Sequence, residues 1–549
     1  MSLYSSIEVP AAAALSRTST YIHTPDPKTP SFIIDSTRKS YRHQYSNIYF
    51  IRLRLLREAV ETRALRRWGG IAGNPVLVPR ALEVEKGKLC YVIGTVYMDM
   101  PLKPNVMIDI ARDQSIPPLP QPEKFFSAND SVMLEDESGR IKLVGDCVKD
   151  ALLVTGVIIG ALGMETPSGE FEVIDICYPE MAPQTRHDDE PSQDEKMDVD
   201  EQEGPADSKS SDEWIGVISG LEIGSASPAD AQIQMLVEYL TGEGGCFEDQ
   251  VSASQISRLI IAGDSLLSLG SIPGEKETLL SAADRKAQRY GYDAATFSPR
   301  PVIELSSSLH DLASCLPINI LPGESDPSGT IMPQQPFPRA MFGDASRYPT
   351  LTCETNPTYL TIASNPESGP TSPKLSRPPI KRKVLINSGQ PLNDIFKYLS
   401  SPPNTRLSVL ASTLRWRHMA PTAPDTLWCH PYFAEDPFVI TETPDIYIVG
   451  GQKKFGTKLA TDQHPSSRKG KGQSPARCRI ILVPSFAQTG KLVLVNLRTL
   501  AVKCVNFSMY GMTAGGKPEI KEEPSDAPSP ITAEPEPSAP NSSMDYGFD

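Results

Sequence analysis

Ile256-Ser257-Arg258-Leu259-Ile260-Ile261-Ala262-Gly263-Asp264 is the stretch on which the fold turns. Its aliphatic, partly β-branched run stops abruptly at Gly-Asp. A short apolar run closed by a turn pair reads as a buried strand. Working outward, Trp214–Ser219 reads as a second apolar strand and Ala231–Leu240 as a helix between the two. Val302–Leu316 places Ile303, Leu309, Leu312 and Leu316 on one helical side, and Ile318–Leu321 is a strand ending in Pro322-Gly323. This strand–turn–helix rhythm is α/β. The later runs Thr350–Ile362, Lys383–Asn387, Asp445–Val449, Arg479–Pro484, Lys491–Asn496 and Lys503–Ser508 read as strands of a second layer. The expectation for residues 214–512 is a sandwich of two sheets flanked by helices.

Upstream the pattern is all-β. Val76–Val78, Leu89–Val96, Val132–Glu135, Arg140–Val144, Leu152–Ile159 and Phe171–Ile176 are short β-rich runs punctuated by Gly, Pro and Asp, with one longer connection, Met98–Asn129. Five or six such strands over 75–184 suit a small closed barrel such as an OB-fold. OB-folds that grip single strands use aromatic platforms in a basic groove. These strands offer few aromatics and little basic charge, which favours a protein-binding or structural barrel. Between Tyr41 and Trp68, Tyr45, Ile48, Ile51, Leu55 and Ala59 recur at helical spacing, with Arg52, Arg54, Arg57 and Arg63 largely between them. That is an amphipathic helix within a 38–74 segment, stopped at Gly69-Gly70, whose arginines either hold an acidic partner or, as the expectation favours, solvate one face.

The rest is punctuation. The chain has 549 residues, 52 of them proline, and a net charge of −14. The length calls for two or three domains, and the acidic balance argues against a primary grip on a phosphate backbone. Residues 1–37 lack periodicity and are expected to fray. The linker 185–213 holds twelve acidic residues against three Lys or Arg, a net −9 that is expected to keep it disordered. Insertions at 364–383 and 463–477 are expected to be exposed loops, and the Pro/Glu/Ser-rich tail 513–549 to be disordered. Lys381-Arg382-Lys383 forms a candidate nuclear-localisation patch, and Ile520-Lys521-Glu522-Glu523 resembles a sumoylation acceptor at Lys521. The nine cysteines contain no CxxC pair, so neither a zinc frame nor a disulfide scaffold is expected. No signal peptide or membrane span is legible; the longest uncharged apolar run, Ala151–Met164, is too short to cross a bilayer.

The loops at the α/β strand ends carry the functional question. They are similar to those of calcineurin-like metallophosphoesterases, whose loops read roughly D-x-H, G-D, G-N-H-[DE], a lone His and G-H-x-H. Such a site holds two cations about 3.5–4 Å apart that stabilise the entering and leaving oxygens. Here Gly220 and Glu222 stand where the first Asp and His would be, and Gly263-Asp264 keeps the G-D pair. Gly323-Glu324-Ser325-Asp326 replaces G-N-H-D, and Gly450-Gly451-Gln452-Lys453 replaces G-H-x-H. Of the seven histidines, His23, His43 and His187 precede the domain, His310 falls on a helix and His464 in an insertion. Asp264 and His418 are the remaining credible ligands; Asp264 alternatively shapes its turn. The expectation is no catalytic residues, no metal and no cofactor, and the competing reading is an active metal-dependent phosphoesterase or nuclease.

Arg417-His418-Met419-Ala420-Pro421-Thr422-Ala423-Pro424-Asp425-Thr426-Leu427 resembles the R-H-x-x-P-T-A-P-D-T-L signature of the DNA polymerase B-subunit family. Leu321–Pro327, Pro333-Gln334-Gln335-Pro336, Val132–Glu137 with Arg140–Leu143, and Tyr41–Gly69 are similar to elements of its delta branch. The resemblance covers roughly 38–184 and 213–512. It implies an OB-fold joined to an inactive phosphoesterase-like domain, serving as a non-catalytic scaffold in replication and repair. It further implies binding to the cysteine-rich C-terminal domain of the polymerase delta catalytic subunit and to the third, clamp-binding subunit. Sharing with polymerase zeta in translesion synthesis, indirect contact with the sliding clamp and DNA, and a nuclear location follow from the same resemblance. The alternative within the family is the corresponding subunit of polymerase alpha or epsilon. Neither spacing nor resemblance assigns residues to a partner interface.

Overall fold

The computed structural model describes residues 15–35, 42–104, 122–185, 213–225, 229–267, 299–364, 380–400, 404–462 and 475–508. All of them belong to one unit, Met1–Ser508. Most of the 185–213 linker, most of both insertions, the 513–549 tail and Lys521 lie outside these residues.

The first element corrects an expectation. Within the supposedly frayed N-terminus, Thr20–His23 forms strand β1. Helix α1, Asn47–Trp68, follows. Its buried side is Ile48, Arg52, Leu56, Val60, Ala64 and Trp68, a strict four-residue stripe, joined by Ile51 and Leu53. Tyr45 and Leu55, expected on the apolar face, are exposed, and Arg52, expected in solvent, is fully buried. Trp68 closes the helix on the barrel, donating from Nε1 to Asp175 at 2.8 Å.

The barrel comprises β2 (Val76–Leu77), β3 (Cys90–Asp99), β4 (Ser131–Glu135), β5 (Arg140–Val144), β6 (Ile158–Glu165) and β7 (Phe171–Cys177), with helix α2 (Asp146–Asp150) before β6. The strand order is β2-β3-β4-β5-β7-β6, and antiparallel pairing of β3 with β6 closes the sheet on itself. Closure removes the edges that an open sheet would expose. The expected strand Leu152–Ile159 is mostly loop; β6 begins at Ile158 because Gly156, at φ +89°, turns the chain first. Apolar character alone does not separate a buried loop from a strand.

The second half opens with β8 (Trp214–Ile218), α3 (Asp230–Thr241), α4 (Phe247–Ser254) and β9 (Ile256–Ala262), then α5 (Arg300–Cys315) and β10 (Ile318–Leu321). It continues with β11 (Leu351–Cys353), β12 (Thr358–Ser364), β13 (Lys381–Asn387), α6 (Gln390–Tyr398), α7 (Arg406–Trp416) and β14 (Ile446–Gln452). Strands β15 (Gly456–Thr461) and β16 (Arg477–Pro484), helix α8 (Phe486–Thr489), and strands β17 (Lys491–Asn496) and β18 (Val502–Asn506) complete it. One sheet runs β11-β10-β9-β8-β17-β18 and the other β1-β12-β13-β14-β16-β15.

Two assignments therefore change. Lys491–Asn496 and Lys503–Ser508 belong to the first sheet, where β17 pairs antiparallel with β8. Thr350–Ile362 divides, β11 pairing with β10 and β12 with β13, as the chain crosses from one sheet to the other. Between the sheets lie Ile215, Val217, Ile260, Leu321, Leu360, Ile362, Val384, Ile386, Ile448 and Ile481, all in one apolar cluster. Burying each such side chain favours folding by about 1.5–3 kcal/mol. Helices α3 and α5 cover the outer face of the first sheet. Helices α6 and α7 cover that of the second, and share one core with the barrel.

Lys381, Arg382 and Lys383 are not an exposed loop. They begin β13, where Arg382 donates to Leu497 O (2.8 Å) and Arg498 O (3.1 Å), and Lys383 bonds Glu442 and Thr29. The Arg382 and Lys383 side chains are only 12% and 15% exposed, which removes two of the three charges a receptor would read.

Candidate functional site

Five strands bring their carboxyl ends to one place, the usual location of ligand sites in α/β sheets. Ser219, after β8, donates from Oγ to Ala262 O (2.8 Å) and accepts from Gly451 N (2.8 Å), tying the ends of β8, β9 and β14. Gly220 N donates to Gly263 O at 3.0 Å, and Glu222 N to Asp264 O at 3.1 Å. The loops lie so close that a Cβ on Gly263 would stand 2.4 Å from Ser388 Cβ after β13, and one on Gly323 2.2 Å from Asp264 N.

Asp264 occupies φ +57°, a left-handed conformation that costs a non-glycine residue about 1–2 kcal/mol. Its Oδ1 accepts from Ser325 N (3.0 Å) and lies 3.2 Å from Ser325 Oγ, which donates to Leu266 O at 2.6 Å. Asp326, not singled out from sequence, is buried and accepts from Gly323 N (2.7 Å) and Leu266 N (2.8 Å). Burial pushes its carboxyl up to about 7; these backbone donors oppose the rise, and the charge of Asp264 adds to it.

Beside them sits a neutral network that sequence reasoning missed. Asn356 Nδ2 lies 2.7 Å from Gln334 Oε1, 2.6 Å from Ser388 Oγ and 2.7 Å from Gln390 Oε1. Gln334 in turn donates to Gly323 O at 2.9 Å. The only local signal was an unusual density of amide side chains in Pro333–Pro336 and at Gln390.

The other ligand positions do not assemble a cation site. Glu222 accepts from Ser485 Oγ (2.8 Å), Gly220 packs on Ser485, and Gly451 has no side chain to offer. Glu324 lines a cleft with Gln334, Gln390, Asp394 and Trp428. Lys453 is exposed and cationic. Among the described residues no three His, Cys, Asp or Glu side chains form a metal-binding group. These positions bring the carboxylates of Glu222, Asp264 and Glu324, two glycines, a serine and a lysine, with no imidazole among them, and Glu222 and Asp264 are hydrogen-bonded within their own loops.

His418 belongs elsewhere, which corrects its reading as a ligand. Its Nδ1 accepts from Ala420 N (3.2 Å), which leaves Nε2 to donate to Asp436 Oδ2 (2.9 Å). The same carboxylate oxygen receives Arg52 Nε at 2.8 Å. Arg52 Nη1 reaches Gly156 O (3.1 Å) and Pro421 O (2.8 Å), and Nη2 reaches Ala423 O (2.9 Å). Burial lowers the His418 imidazole to about 4, helped by Arg52 and opposed by Asp436. Burial alone would raise the Asp436 carboxyl, but Arg52 and His418 outweigh it and hold it well below the usual carboxylate range.

The Arg417–Leu427 signature is thus an interdomain joint. Arg417 donates to Glu180 O (2.7 Å) and Met181 O (3.1 Å) at the end of the barrel segment, while Asp425 accepts from Lys103 (2.5 Å) and Tyr398 Oη (2.9 Å). The sequence signal for Arg52 was its place on the four-residue stripe from Ile48 to Trp68.

Comparison with known proteins agrees with this joined architecture. Residues 44–176 match a family model described as the DNA polymerase delta subunit OB-fold domain, and 215–457 match the family model of the DNA polymerase alpha/epsilon B subunits. An Arabidopsis thaliana DNA polymerase delta small subunit is 35% identical over 472 residues, covering 86% of this chain and 93% of the relative. The chain belongs to the DNA polymerase delta small subunit family. A Saccharomyces cerevisiae member is 31% identical over 513 residues, covering 88% of this chain and 93% of its own. An Archaeoglobus fulgidus DNA polymerase II small subunit is 27% identical, covering 45% of this chain and 44% of its own. The full-length relatives do not favour the alpha or epsilon alternative. The OB-fold match begins at residue 44, within the helical segment, in keeping with α1 packing on β3 and β6 of the barrel.

Proposed function

We propose that this chain is the non-catalytic small subunit of DNA polymerase delta, a scaffold in DNA replication. The supporting observation is the delta small-subunit relationship across 93% of the yeast and Arabidopsis relatives, on a chain whose strand-end loops hold Asp264 and Asp326 by local hydrogen bonds and carry no histidine at the positions where a hydrolase has its ligands. The second domain is read as a calcineurin-like phosphoesterase fold that has lost its chemistry: two mixed sheets face to face, with loops converging at strand ends, fit that architecture. The amide network and Asp264 hold these loops by hydrogen bonds, the work a metal pair would otherwise do.

The partners in this reading are the catalytic subunit, through its cysteine-rich C-terminal domain, the third subunit, and the polymerase zeta catalytic subunit. The acidic chain meets the clamp and DNA only through them, in the nucleus. Since Arg382 and Lys383 are engaged in β13, nuclear entry is carried by a partner or by another segment, and Lys521 is a modification candidate in the tail.

Purified chain, analysed for bound metal and assayed with manganese or zinc on phosphodiester substrates, tests the loss of chemistry. The expected result is no stoichiometric metal and no turnover. Turnover abolished by Asp264→Ala would overturn the reading.

A further inference from the structure

Residues 15–35 bind both sheets of the sandwich. Arg17 Nη1 donates to Ala253 O (2.7 Å) and Ile256 O (2.8 Å), and Nη2 to Leu240 O, so one guanidinium gathers carbonyls from the ends of α3 and α4 and from β9. A cation suits helix C-termini, where the carbonyls are unpaired and the dipole is negative. Thr18 N donates to Ser254 O at 2.9 Å. Strand β1 then pairs antiparallel with β12, Thr20 opposite Ser364 and His23 opposite Thr361. Thr20 O accepts from Arg258 Nη2 (3.1 Å), and with Asn319 Oδ1 (2.7 Å from Nη1) it satisfies a guanidinium whose residue is only 5% exposed. Further on, Phe32 is buried against Tyr359 and Phe438, and Gln335 holds Phe32 O and Ile34 N at 3.0 and 2.9 Å.

Without β1, β12 would be the edge of its sheet. The backbone groups of Thr361–Ser364 that now face β1 would be unpaired, extending the edge that β1 leaves uncovered at Thr358–Leu360, beside the buried Leu360 and Ile362. A seven-residue edge strand that is mostly buried is a template for another strand, whereas β1, at four residues with exposed Tyr21 and His23, is a poor one. Two identical edges can pair antiparallel about a two-fold axis, which closes the assembly at a dimer.

We propose that residues 15–35 are an intramolecular strap that occupies the β12 edge, and that displacing it lets two copies of this chain pair β12 against β12. The strap is latched by Arg17 and by the Thr20–Arg258 bond, and β1 is the strand it inserts.

The test uses the full chain carrying Tyr21→Pro with Ile22→Pro, which removes a β1 donor toward β12 whichever of the two N–H groups faces it. Sedimentation and hydrogen exchange are read across micromolar concentrations. The unmodified chain is expected to be monomeric with protected β12 amides. The double variant is expected to double in mass, keeping β12 protected only when dimeric. A synthetic peptide of residues 15–35, or Thr361→Lys added to the double variant, is expected to restore the monomer. A double variant that stays monomeric while β12 exchanges freely overturns the proposal, as does a dimer that neither the peptide nor Thr361→Lys dissolves. Should the double variant not fold, Arg17→Ala, which leaves β1 intact, carries the same test: a dimer fraction that the peptide reverses supports the strap, and a strictly monomeric chain overturns it.

Discussion

Arg52 and Asp436 form an ion pair with both side chains fully buried, 2.8 Å apart, between the helix that covers the barrel and the loop that follows the Arg417–Leu427 signature. A pair taken so far from water survives because its remaining polar atoms are bonded: the guanidinium to three carbonyls, and the carboxylate to His418 and to the Phe438 N–H at 3.0 Å. Barrel, helix and second domain meet at this point. Their mutual position is therefore fixed by specific geometry as well as by apolar contact.

Removing one partner should cost far more than the pair's net worth. Arg52→Ala leaves a buried carboxylate and three carbonyls unpaired, with an expected loss of about 3–5 kcal/mol in unfolding free energy. Denaturant unfolding checks it, together with limited proteolysis between the barrel and the second domain.

The same joint predicts an acid limb. The His418 pKa falls from its ordinary 6.5 to about 4 on folding, so the unfolded state binds the extra proton between those values. Stability from this group is complete above about pH 6.5 and is lost as pH falls through 4, on the order of 3 kcal/mol in all. The depressed Asp436 carboxyl adds a loss of the same sign below the ordinary carboxylate pKa. His418→Gln should flatten the pH 4–6.5 part of the stability profile, measured by melting temperature against pH.

Gly156 is fixed by close approach. A Cβ there would stand 2.0 Å from Pro421 O and 2.4 Å from Arg52 Nη1, on a backbone at φ +89°. Gly156→Ala should destabilise by more than about 2 kcal/mol, combining left-handed strain with displacement of the joint. An equivalent change at Gly87, at φ +71° with open space around it, should cost only the backbone term, and thermal unfolding of the two variants compares them.

Chelation separates a bonded loop cluster from a metal-held one. Prolonged EDTA treatment should leave the melting temperature unchanged, whereas Asn356→Ala should lower it by about 1–3 kcal/mol of stability by orphaning buried amides and a hydroxyl. Differential scanning calorimetry reads both.

Much of the architecture was legible because it rests on local pattern. The β-branched runs at Ile256–Ala262 and Cys90–Asp99 mark their strands whatever surrounds them. Pairing is not local, so β17 and β18 were assigned to the wrong sheet. The four residues of β1 are too few to show a period, and their strand character comes from β12. His418 looked like a ligand because imidazole is a ligand type. Only the tertiary structure shows that its partner is Asp436, eighteen positions away, and that the loops at Asp264 are held by Ser325.

The central claim is membership of the polymerase delta assembly, and co-expression of this chain with the catalytic subunits of polymerases delta, alpha and epsilon together tests it most directly. Purification through a tag on this chain should recover the delta catalytic subunit in a one-to-one complex and leave the other two behind. Recovery of alpha or epsilon in its place, or of none of the three, would contradict the account.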